Sequence, residues 1–441
     1  MIDTAARTQL GSTSTAVVSP RTEAPVKGSD NDSAAILHTE NLNVGYDKKT
    51  VIKNINVNAL RGQTICLIGP NGAGKSTILR TLAGMLAPVE GSVYISRDNI
   101  NDIKPAERAK YMAVVLTDKP NMDQTSAYEI VSMGRAPFTN FFGRLGEDDH
   151  RVVKDCMQAV GATHLATRNF NSLSDGEKQK VMIARALAQE PKLIILDEPT
   201  SHLDIRHKIE VIRILSRLSA ERQMTVILAL HDVDIAVKSC QTVLMVKDGE
   251  IVAQGKPEDI VRPETIGELY NIDGASYNSV LGSFELCYEK APEIFIAAGA
   301  GTGAHFYRSL SRLGFGIATG VLHENDVDFN ISNAMKLTVV SEQSFQPISE
   351  DSLSSAKSLI AESRFAVDTG FPVGDFNHQN IEVLKDYADK GGRVFSLRSL
   401  EQIEQLYCGS KITQIKSVSE LQTSIDLEHF YPAVTGQVLA G

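Results

Sequence analysis

Residues 69–77 read Gly-Pro-Asn-Gly-Ala-Gly-Lys-Ser-Thr, which is a complete phosphate-binding loop. The apolar run 64–68 before it predicts a strand, and the apolar-periodic stretch 78–82 after it predicts a helix. Gly72 and Gly74 permit backbone conformations in which the loop amides converge on an anion at the helix N-terminus. A chance glycine-rich turn explains this context less well, so we expect the chain to bind and hydrolyse a nucleotide.

Side chains in and beyond this loop predict the chemistry. Lys75 is expected to reach the outer phosphates, and the Ser76 hydroxyl is expected to ligate Mg²⁺. The run 193–198, Leu-Ile-Ile-Leu-Asp-Glu, predicts a buried strand that ends in two carboxylates. Asp197 suits Mg²⁺, and Glu198 is placed to act as the general base on water. An acidic strand-to-loop turn is common alone, but together with the phosphate loop it favours catalysis.

Two further positions allow both a functional and an ordinary interpretation. His231 follows the buried strand predicted at 224–230, where it either contacts the γ-phosphate or caps the strand. Ser174 precedes a predicted helix and has Glu177 three residues later, which is the pattern of a capping box. The same segment offers a hydroxyl, a glycine amide and a positive helix end, which together make an anion site.

The bulk properties limit the class of protein. A chain of 441 residues predicts two domains, and its net charge of −10 argues against nucleic acid as a main partner. No apolar run of eighteen residues is present, and residues 1–35 are expected to be a disordered tail and not a signal peptide. The five cysteines are scattered, which favours free thiols in a reducing compartment.

The order of the predicted elements indicates an α/β core with a parallel sheet. Strands are predicted at 36–44, 51–57 and 91–96, before a helical block from 126 to 189. The helix that follows Asp204 is expected to bury one apolar stripe, made of Ile205, Ile209, Ile212, Leu215 and Leu218.

In this order the motifs of residues 36–290 resemble the ATP-binding subunits of ABC transporters. The resemblance implies a P-loop NTPase of ABC type, with a RecA-like core, a helical subdomain at about 120–190, an antiparallel β subdomain, and ATP and Mg²⁺ as cofactors. Residues 69–77 then stand for Walker A, 193–198 for Walker B and 201–204 for the D-loop, and His231 for the switch histidine. Residues 173–177 stand at the signature motif but read Leu-Ser-Asp-Gly-Glu instead of the usual Leu-Ser-Gly-Gly-Gln.

The resemblance assigns roles to individual residues. The catalytic residues are Glu198, His231 and Lys75, and the metal ligands are Ser76, Asp197 and Thr117. Tyr46 would stack on adenine, although a plain turn tyrosine is the alternative. The residues expected to contact nucleotide are Tyr46, Gly69, Pro70, Asn71, Gly72, Ala73, Gly74, Lys75, Ser76, Thr77, Ser174, Asp175, Gly176, Glu177 and Asp204.

One position departs from the family pattern. The family has a glutamine at the end of the strand between Walker A and the helical block, where it touches the metal and the attacking water. Here the predicted strand 112–116 runs into Thr117 and Asp118, and the nearest glutamine is Gln124. Either Thr117 or Asp118 takes the role, or coupling to the membrane partner differs.

A branch of the family is also indicated. Residues 131–138, Val-Ser-Met-Gly-Arg-Ala-Pro-Phe, and the neighbouring 141–145 resemble importers of iron siderophores, haem and vitamin B12. The resemblance implies a head-to-tail homodimer, peripheral on the cytoplasmic face of the membrane, with permease subunits and a periplasmic or extracellular substrate-binding protein as partners and no nucleic acid. Alternatively, Gly134 and Pro137 simply end a helix.

Residues 291–441 predict a second, small α/β domain of Rossmann-like order. A predicted strand from Ile294 is followed by a glycine-rich turn at 299–303, which either holds an anion or is a plain tight turn. Two places after later predicted strands carry candidate ligand contacts. One is Asp326 with its neighbour Glu324, and the other is Asp368. The glycine spacing does not match a dinucleotide fingerprint, so we expect a regulatory or ligand-sensing domain.

The sequence leaves two other functions open. A non-transport ABC ATPase usually carries two cassettes or long coiled coils, whereas this chain has one cassette and an acidic balance. The second alternative is a binding module in which nucleotide only regulates the C-terminal domain. The presence of Glu198 and His231 argues against this function, whereas the missing glutamine leaves it possible.

Overall fold

The computed structural model describes residues 35–117, 124–139 and 143–429. Residues 1–34 of the predicted tail, Asp118, and the phenylalanines at 141 and 142 lie outside the described residues.

The described part of the chain contains four sheets and fifteen α-helices. The strands are β1 (Ala35–Tyr46), β2 (Lys49–Ile55), β3 (Asn58–Leu60), β4 (Thr64–Ile68), β5 (Glu90–Ile95), β6 (Asp98–Asn99), β7 (Met112–Val115), β8 (Leu193–Leu196), β9 (Thr225–Ala229), β10 (Thr242–Lys247), β11 (Glu250–Gly255), β12 (Ala275–Asn278), β13 (Ser283–Leu286), β14 (Ile294–Ala297), β15 (Ile317–His323), β16 (Thr338–Glu342), β17 (Ala366–Asp368), β18 (Val394–Ser396) and β19 (Ile412–Gln414). The helices are α1 (Lys75–Leu82), α2 (Pro105–Tyr111), α3 (Ala127–Ser132), α4 (Glu147–Ala159), α5 (Asp175–Leu187), α6 (Ile205–Arg222), α7 (Val233–Ser239), α8 (Pro257–Ile260), α9 (Pro263–Tyr270), α10 (Ala304–Arg312), α11 (Val327–Ala334), α12 (Glu350–Ala361), α13 (Gln379–Asp389), α14 (Leu400–Tyr407) and α15 (Val418–His429).

A six-stranded sheet forms the centre of the first part of the chain. Its order is β11-β10-β4-β9-β8-β7, and every neighbouring pair except β10 and β11 is parallel. Side chains of β4 alternate between two apolar cores, since Cys66 and Ile68 face one and Ile65 and Leu67 face the other. The second core is covered by the antiparallel sheet of β1, β2, β3, β5 and β6. The predicted parallel sheet and antiparallel subdomain are therefore both present.

Residues 134–137, here called the Gly-Arg-x-Pro segment, hold together the helical insertion, which is the helical subdomain predicted at about 120–190. Gly134 lies so close to α5 that a Cβ would come 2.1 Å from the Arg185 carbonyl oxygen, so only glycine fits. The Arg135 side chain is 7% exposed and bonds Asp149 at 2.8 Å and Glu190 at 2.6 Å. These contacts join the turn after α3 to α4 and to the end of α5, which is a structural reason for this motif.

The predicted apolar stripe of α6 is wrong in its first half. Ile205 and Ile209 are 76% and 50% exposed, whereas Val211 and Ile214 are buried together with the correctly predicted Leu215 and Leu218. The helix carries apolar residues on two faces. Only the face with Val211, Ile214, Leu215 and Leu218, in the second half of the helix, packs against the core. No helix in the described ranges is both long and apolar enough to cross a membrane.

The C-terminal sheet is parallel throughout, in the order β16-β15-β14-β17-β18-β19. Numbered within this region, the order is 3-2-1-4-5-6, and it reverses between β14 and β17. The predicted strand from Ile294 is β14, and alternate residues of β14 face two separate cores. The sequence pattern did not predict α11, α14, β19 or α15.

Candidate functional site

The phosphate loop turns between β4 and α1 in the backbone conformation that its glycines permit. Gly72 and Gly74 have φ angles of 78° and 98°, a region that side chains disfavour. Gly69 packs against β10, and a Cβ there would lie 2.1 Å from the Val246 carbonyl oxygen. The loop amides and the first turn of α1, which begins at Lys75, therefore face one side.

Lys75 is held at the base of the loop. Its Nζ donates hydrogen bonds to the carbonyl oxygens of Gly69 at 2.7 Å and Pro70 at 2.9 Å. Burial lowers the pKa of Lys75, against the opposing effect of the nearby carboxylates of Glu198 and Asp197. The hydrogen bonds of Lys75 therefore hold its ammonium group in a fixed position near the carboxylates of Glu198 and Asp197.

Ser76 and Asp197 meet where the metal is predicted. The Ser76 hydroxyl donates to Asp197 Oδ1 at 2.8 Å, and burial raises the pKa of Asp197 despite that bond. A hydroxyl and a carboxylate are hard oxygen ligands, which fit Mg²⁺. The Thr117 hydroxyl donates to the Asp197 carbonyl oxygen at 2.9 Å, so the structure places Thr117 beside this pair.

Glu198 is oriented by two partners. Its Oε1 lies 2.7 Å from His231 Nε2, and its Oε2 accepts a hydrogen bond from Ser201 Oγ at 3.0 Å. Burial alone would raise the pKa of Glu198, but the bonds from His231 and Ser201 outweigh it and lower the pKa. The φ of Glu198 is 51°, a conformation that is rare for a residue with a side chain and is often found at functional sites.

One cavity of about 440 Å³ brings most of the predicted nucleotide and catalytic residues together. Its lining consists of Tyr46, Val51, Asn71, Gly72, Gly74, Lys75, Ser76, Thr77, Glu198 and His231. The Thr77 hydroxyl donates a hydrogen bond to the Tyr46 hydroxyl oxygen at 3.4 Å, so the tyrosine lies at the mouth of the phosphate loop.

The signature residues lie at another part of the surface and are absent from this lining. Ser174 caps α5, and Glu177 completes the capping box and pairs with Arg168 at 2.9 Å. Gly176 packs on the His207 ring, where a Cβ would come within 2.4 Å, and Asp204 caps α6 beside the same histidine. The predicted capping box is therefore present.

Ser201 and Val51 belong to the site, although the sequence assigned Ser201 only to the D-loop and gave Val51 no role. Ser201 could have been found, because it lies only three residues after the strand-end carboxylate of Glu198, and a turn there brings its hydroxyl within hydrogen-bond distance. Val51 carries no chemical signal and reaches the cavity only through the pairing of β1 with β2.

The glycine-rich turn of the C-terminal domain does not offer the anion site that its sequence allows. Its amides already have carboxylate partners: Gly303 N–H donates to both carboxylate oxygens of Asp328 at 3.0 Å, and Ala300 N–H donates to Asp326 at 2.8 Å. Asp326 also caps α11, so both of its carboxylate oxygens have partners within the chain. The tight-turn interpretation fits the structure.

Asp368 is likewise part of the domain interior and not an exposed ligand contact. It is fully buried and accepts hydrogen bonds from Gly370 N–H, Ser396 Oγ, Arg398 Nε and Tyr407 Oη at 2.7–2.9 Å. These four donors occupy the carboxylate, which ties the ends of β17 and β18 to α14.

Comparison with known families gives one match in each part of the chain. The family model described as ABC transporter matches residues 52–201, and that of the MJ0874 family matches residues 317–426. The dimeric ATP-binding cassette MJ0796 in a post-hydrolysis state with ADP and Pi is 29% identical, covering 50% of this chain and 98% of that one at a TM-score of 0.45.

Two curated relatives match over nearly their whole length. An uncharacterized ABC transporter ATP-binding protein of Methanocaldococcus jannaschii is 44% identical over 289 residues, which is 65% of this chain and 100% of the relative. The ferric enterobactin transport ATP-binding protein FepC of Escherichia coli is 37% identical over 241 residues, 55% of this chain and 89% of the relative. The predicted fold class is confirmed, and the chain belongs to the ABC transporter ATP-binding proteins, which bind nucleotide and hydrolyse ATP to power transport.

Proposed function

We propose that this chain is the ATPase subunit of an importer for a metal chelate, which is an iron siderophore, haem or cobalamin. The observation that carries the ATPase role is the convergence of Lys75, Glu198 and His231 on one cavity beside the phosphate loop. The cargo class follows the similarity to a ferric enterobactin transport protein and the Gly-Arg-x-Pro segment.

The side chains around the cavity have separate roles in ATP binding and hydrolysis. Lys75 balances charge on the outer phosphates, and Glu198 accepts a proton from the attacking water while His231 orients that carboxylate. Ser76 and Asp197 would hold Mg²⁺, with Thr117 beside them, and the ion would neutralise phosphate charge. Tyr46 stacks on the adenine ring at the cavity mouth.

The signature segment acts in a second copy of the chain. Ser174, Asp175, Gly176, Glu177 and Asp204 complete the nucleotide site of the opposite protomer in a head-to-tail homodimer. ATP closes this dimer and hydrolysis reopens it, which moves two permease subunits between their states. The dimer is then peripheral on the cytoplasmic face of the membrane, and a separate binding protein delivers the chelate.

The division of the chain into domains belongs to the same proposal. The ABC transporter family model matches residues 52–201 and the MJ0874 family model matches residues 317–426, which supports two domains, an ATPase domain at 36–290 and an appended domain at 291–441. The appended domain regulates the ATPase. Because its glycine-rich turn is filled by its own carboxylates, that turn does not bind a nucleotide phosphate.

The test is to identify what the intact protein binds in its host. Glu198→Gln is expressed there, extracted in mild detergent with ATP, and its partners are identified by mass spectrometry. A multi-span permease in a 1:1 ratio with this chain is expected. Recovery of ribosomes or nucleic acid, or of no membrane protein, would reject the transport role.

A further inference from the structure

Two carboxylates lie in the first turn of α5. Asp175 and Glu177 belong to that turn, and Asp175 is exposed. In the proposed function this turn of one copy faces the triphosphate of the ATP that a second copy holds. A triphosphate is a polyanion, and the carboxylates also offset the positive helix end that would attract it. The turn therefore approaches ATP at an electrostatic cost unless a cation lies beside it.

Arg168 supplies a cation at this turn. Its Nη1 donates a hydrogen bond to Glu177 Oε1 at 2.9 Å, and its Nη2 lies 3.5 Å from the Ser172 carbonyl oxygen. The backbone of Arg168 is fixed as well, because its N–H donates to the Leu165 carbonyl oxygen and its carbonyl oxygen accepts from Ala127 N–H, both at 2.9 Å. The helical insertion thus holds the guanidinium across the start of α5.

The pair with Glu177 stays accessible and leaves the helix cap intact. The Oε2 atom of Glu177 accepts a hydrogen bond from Ser174 N–H at 2.8 Å, so the cap and the Arg168 pair use different oxygens. The Ser174 bond, with Arg168 adding to it, lowers the pKa of Glu177, which keeps the carboxylate ionised. The side chains of Arg168 and Glu177 are 45% and 23% exposed. Lys180, one turn further along α5, is committed to Glu210 at 2.6 Å.

We propose that Arg168 is a positioning residue for the nucleotide site of a second copy, because it neutralises Glu177 and holds that carboxylate at the start of α5. With the pair intact, Glu177 adds no net charge where the turn meets the triphosphate. Without the guanidinium, the carboxylate faces the phosphates uncompensated, and ATP closes the dimer less tightly. This inference rests on the proposed head-to-tail dimer, in which two symmetric sites each contain one such pair.

The experiment measures ATP-dependent dimerisation of the full-length protein by analytical ultracentrifugation. All variants carry Glu198→Gln, so that ATP is not consumed. Arg168→Gln is expected to raise the dimer dissociation constant about tenfold, from roughly threefold at each of the two sites. Glu177→Gln keeps the cap, which glutamine also serves, and leaves the guanidinium unpaired, so it is expected to lower the constant at least threefold. The double variant is expected to lie between the two and within threefold of the parent.

A matched control and a salt series separate this role from a general loss of charge or fold. Arg151→Gln removes the same charge from an exposed pair with Asp148 at 2.8 Å on α4, and it should leave the dimer constant unchanged. The effect of Arg168→Gln should shrink between about 0.1 M and about 1 M salt, because the screening length falls from about 10 Å to about 3 Å. A merely structural role would not give that dependence.

Three outcomes would overturn the inference: a dimer constant for Arg168→Gln equal to that for Arg151→Gln, a double variant as weak as Arg168→Gln, or an effect that salt leaves unchanged. Affinity of the undimerised protein for a fluorescent ATP analogue should be the same in all variants, because Arg168 lies outside the lining of the cavity. A parent that stays monomeric in ATP would reject the proposed dimer itself, and the inference with it.

Discussion

His231 Nε2 lies 2.7 Å from Glu198 Oε1 at the edge where β8 and β9 end. The two strands are adjacent and parallel, so their carboxyl ends bring the residues that follow them to one place. The Glu198 carboxylate bonds the imidazole and also accepts a hydrogen bond from Ser201. Glu198 and His231 both line the cavity at the phosphate loop. The candidate base and its orienting group therefore form one unit.

Glu198→Gln is expected to abolish turnover while ATP binding persists. The amide cannot take a proton from water, and loss of a general base costs about 10²–10⁴ in rate. Phosphate release at saturating ATP should fall by that factor, whereas the dissociation constant for ATP should change less than threefold.

Glu221→Gln, at an exposed position of α6, is the matched control and should leave both quantities unchanged. If Glu198→Gln retained more than a tenth of the wild-type rate, the base would have to be another group.

The convergence of the candidate nucleotide site on one cavity was predictable, because its signals are local in sequence. The phosphate loop and the strand-end carboxylates are runs of consecutive residues, and backbone geometry then places them. The buried face of α6 was not predictable in this way. Ile205 and Val211 both fit an apolar stripe, and packing across the chain decides that only Val211 is buried.

The C-terminal domain shows a second limit of sequence reasoning. The turn at 299–303 has the composition of an anion-binding turn, but Asp328 fills it from 25 residues further along the chain. A contact between residues so far apart leaves no periodic signal. The fold could be predicted from the alternation of strands and helices. The side chain that fills the turn could be identified only from the three-dimensional structure.

Arg135→Gln is expected to destabilise the helical insertion. The guanidinium is 7% exposed and serves Asp149, Glu190 and the Ala188 carbonyl oxygen, so its removal leaves acceptors without their donor. The loss in unfolding free energy should be about 3 kcal/mol, measured by urea denaturation.

Arg151→Gln provides the comparison, because Arg151 also pairs with an aspartate, at 2.8 Å, but is 70% exposed. Its effect should stay within about 0.5 kcal/mol. Equal losses for the two variants would show that the Arg135 contacts contribute no more than a surface pair.

Glu342 should make the stability of the C-terminal domain depend on pH. Hydrogen bonds from Ser349 lower its pKa to about 2, below the ordinary value of 4.5. The carboxylate therefore stabilises the fold above about pH 4.5, and this contribution is lost as the pH falls toward 2. Glu342→Gln should lower the unfolding temperature at pH 7, with a difference from wild type that shrinks as the pH falls below 4.5, as measured by circular dichroism. Glu362→Gln, at an exposed position, should show no such trend; a difference independent of pH would contradict the assignment.

Tyr46 should contribute to nucleotide affinity through its ring and not through its hydroxyl. It is 45% exposed at the cavity mouth, which leaves a face for a base to stack on. Tyr46→Ala is expected to weaken ATP binding about tenfold, roughly 1.4 kcal/mol, which is within the range for base–aromatic stacking. Tyr46→Phe should bind within twofold of wild type, and so should Tyr111→Ala, which removes a ring of similar exposure (40%) outside the cavity. Titration of a fluorescent ATP analogue gives these constants, and equal affinities for Tyr46→Ala and Tyr111→Ala would mean that the adenine lies elsewhere.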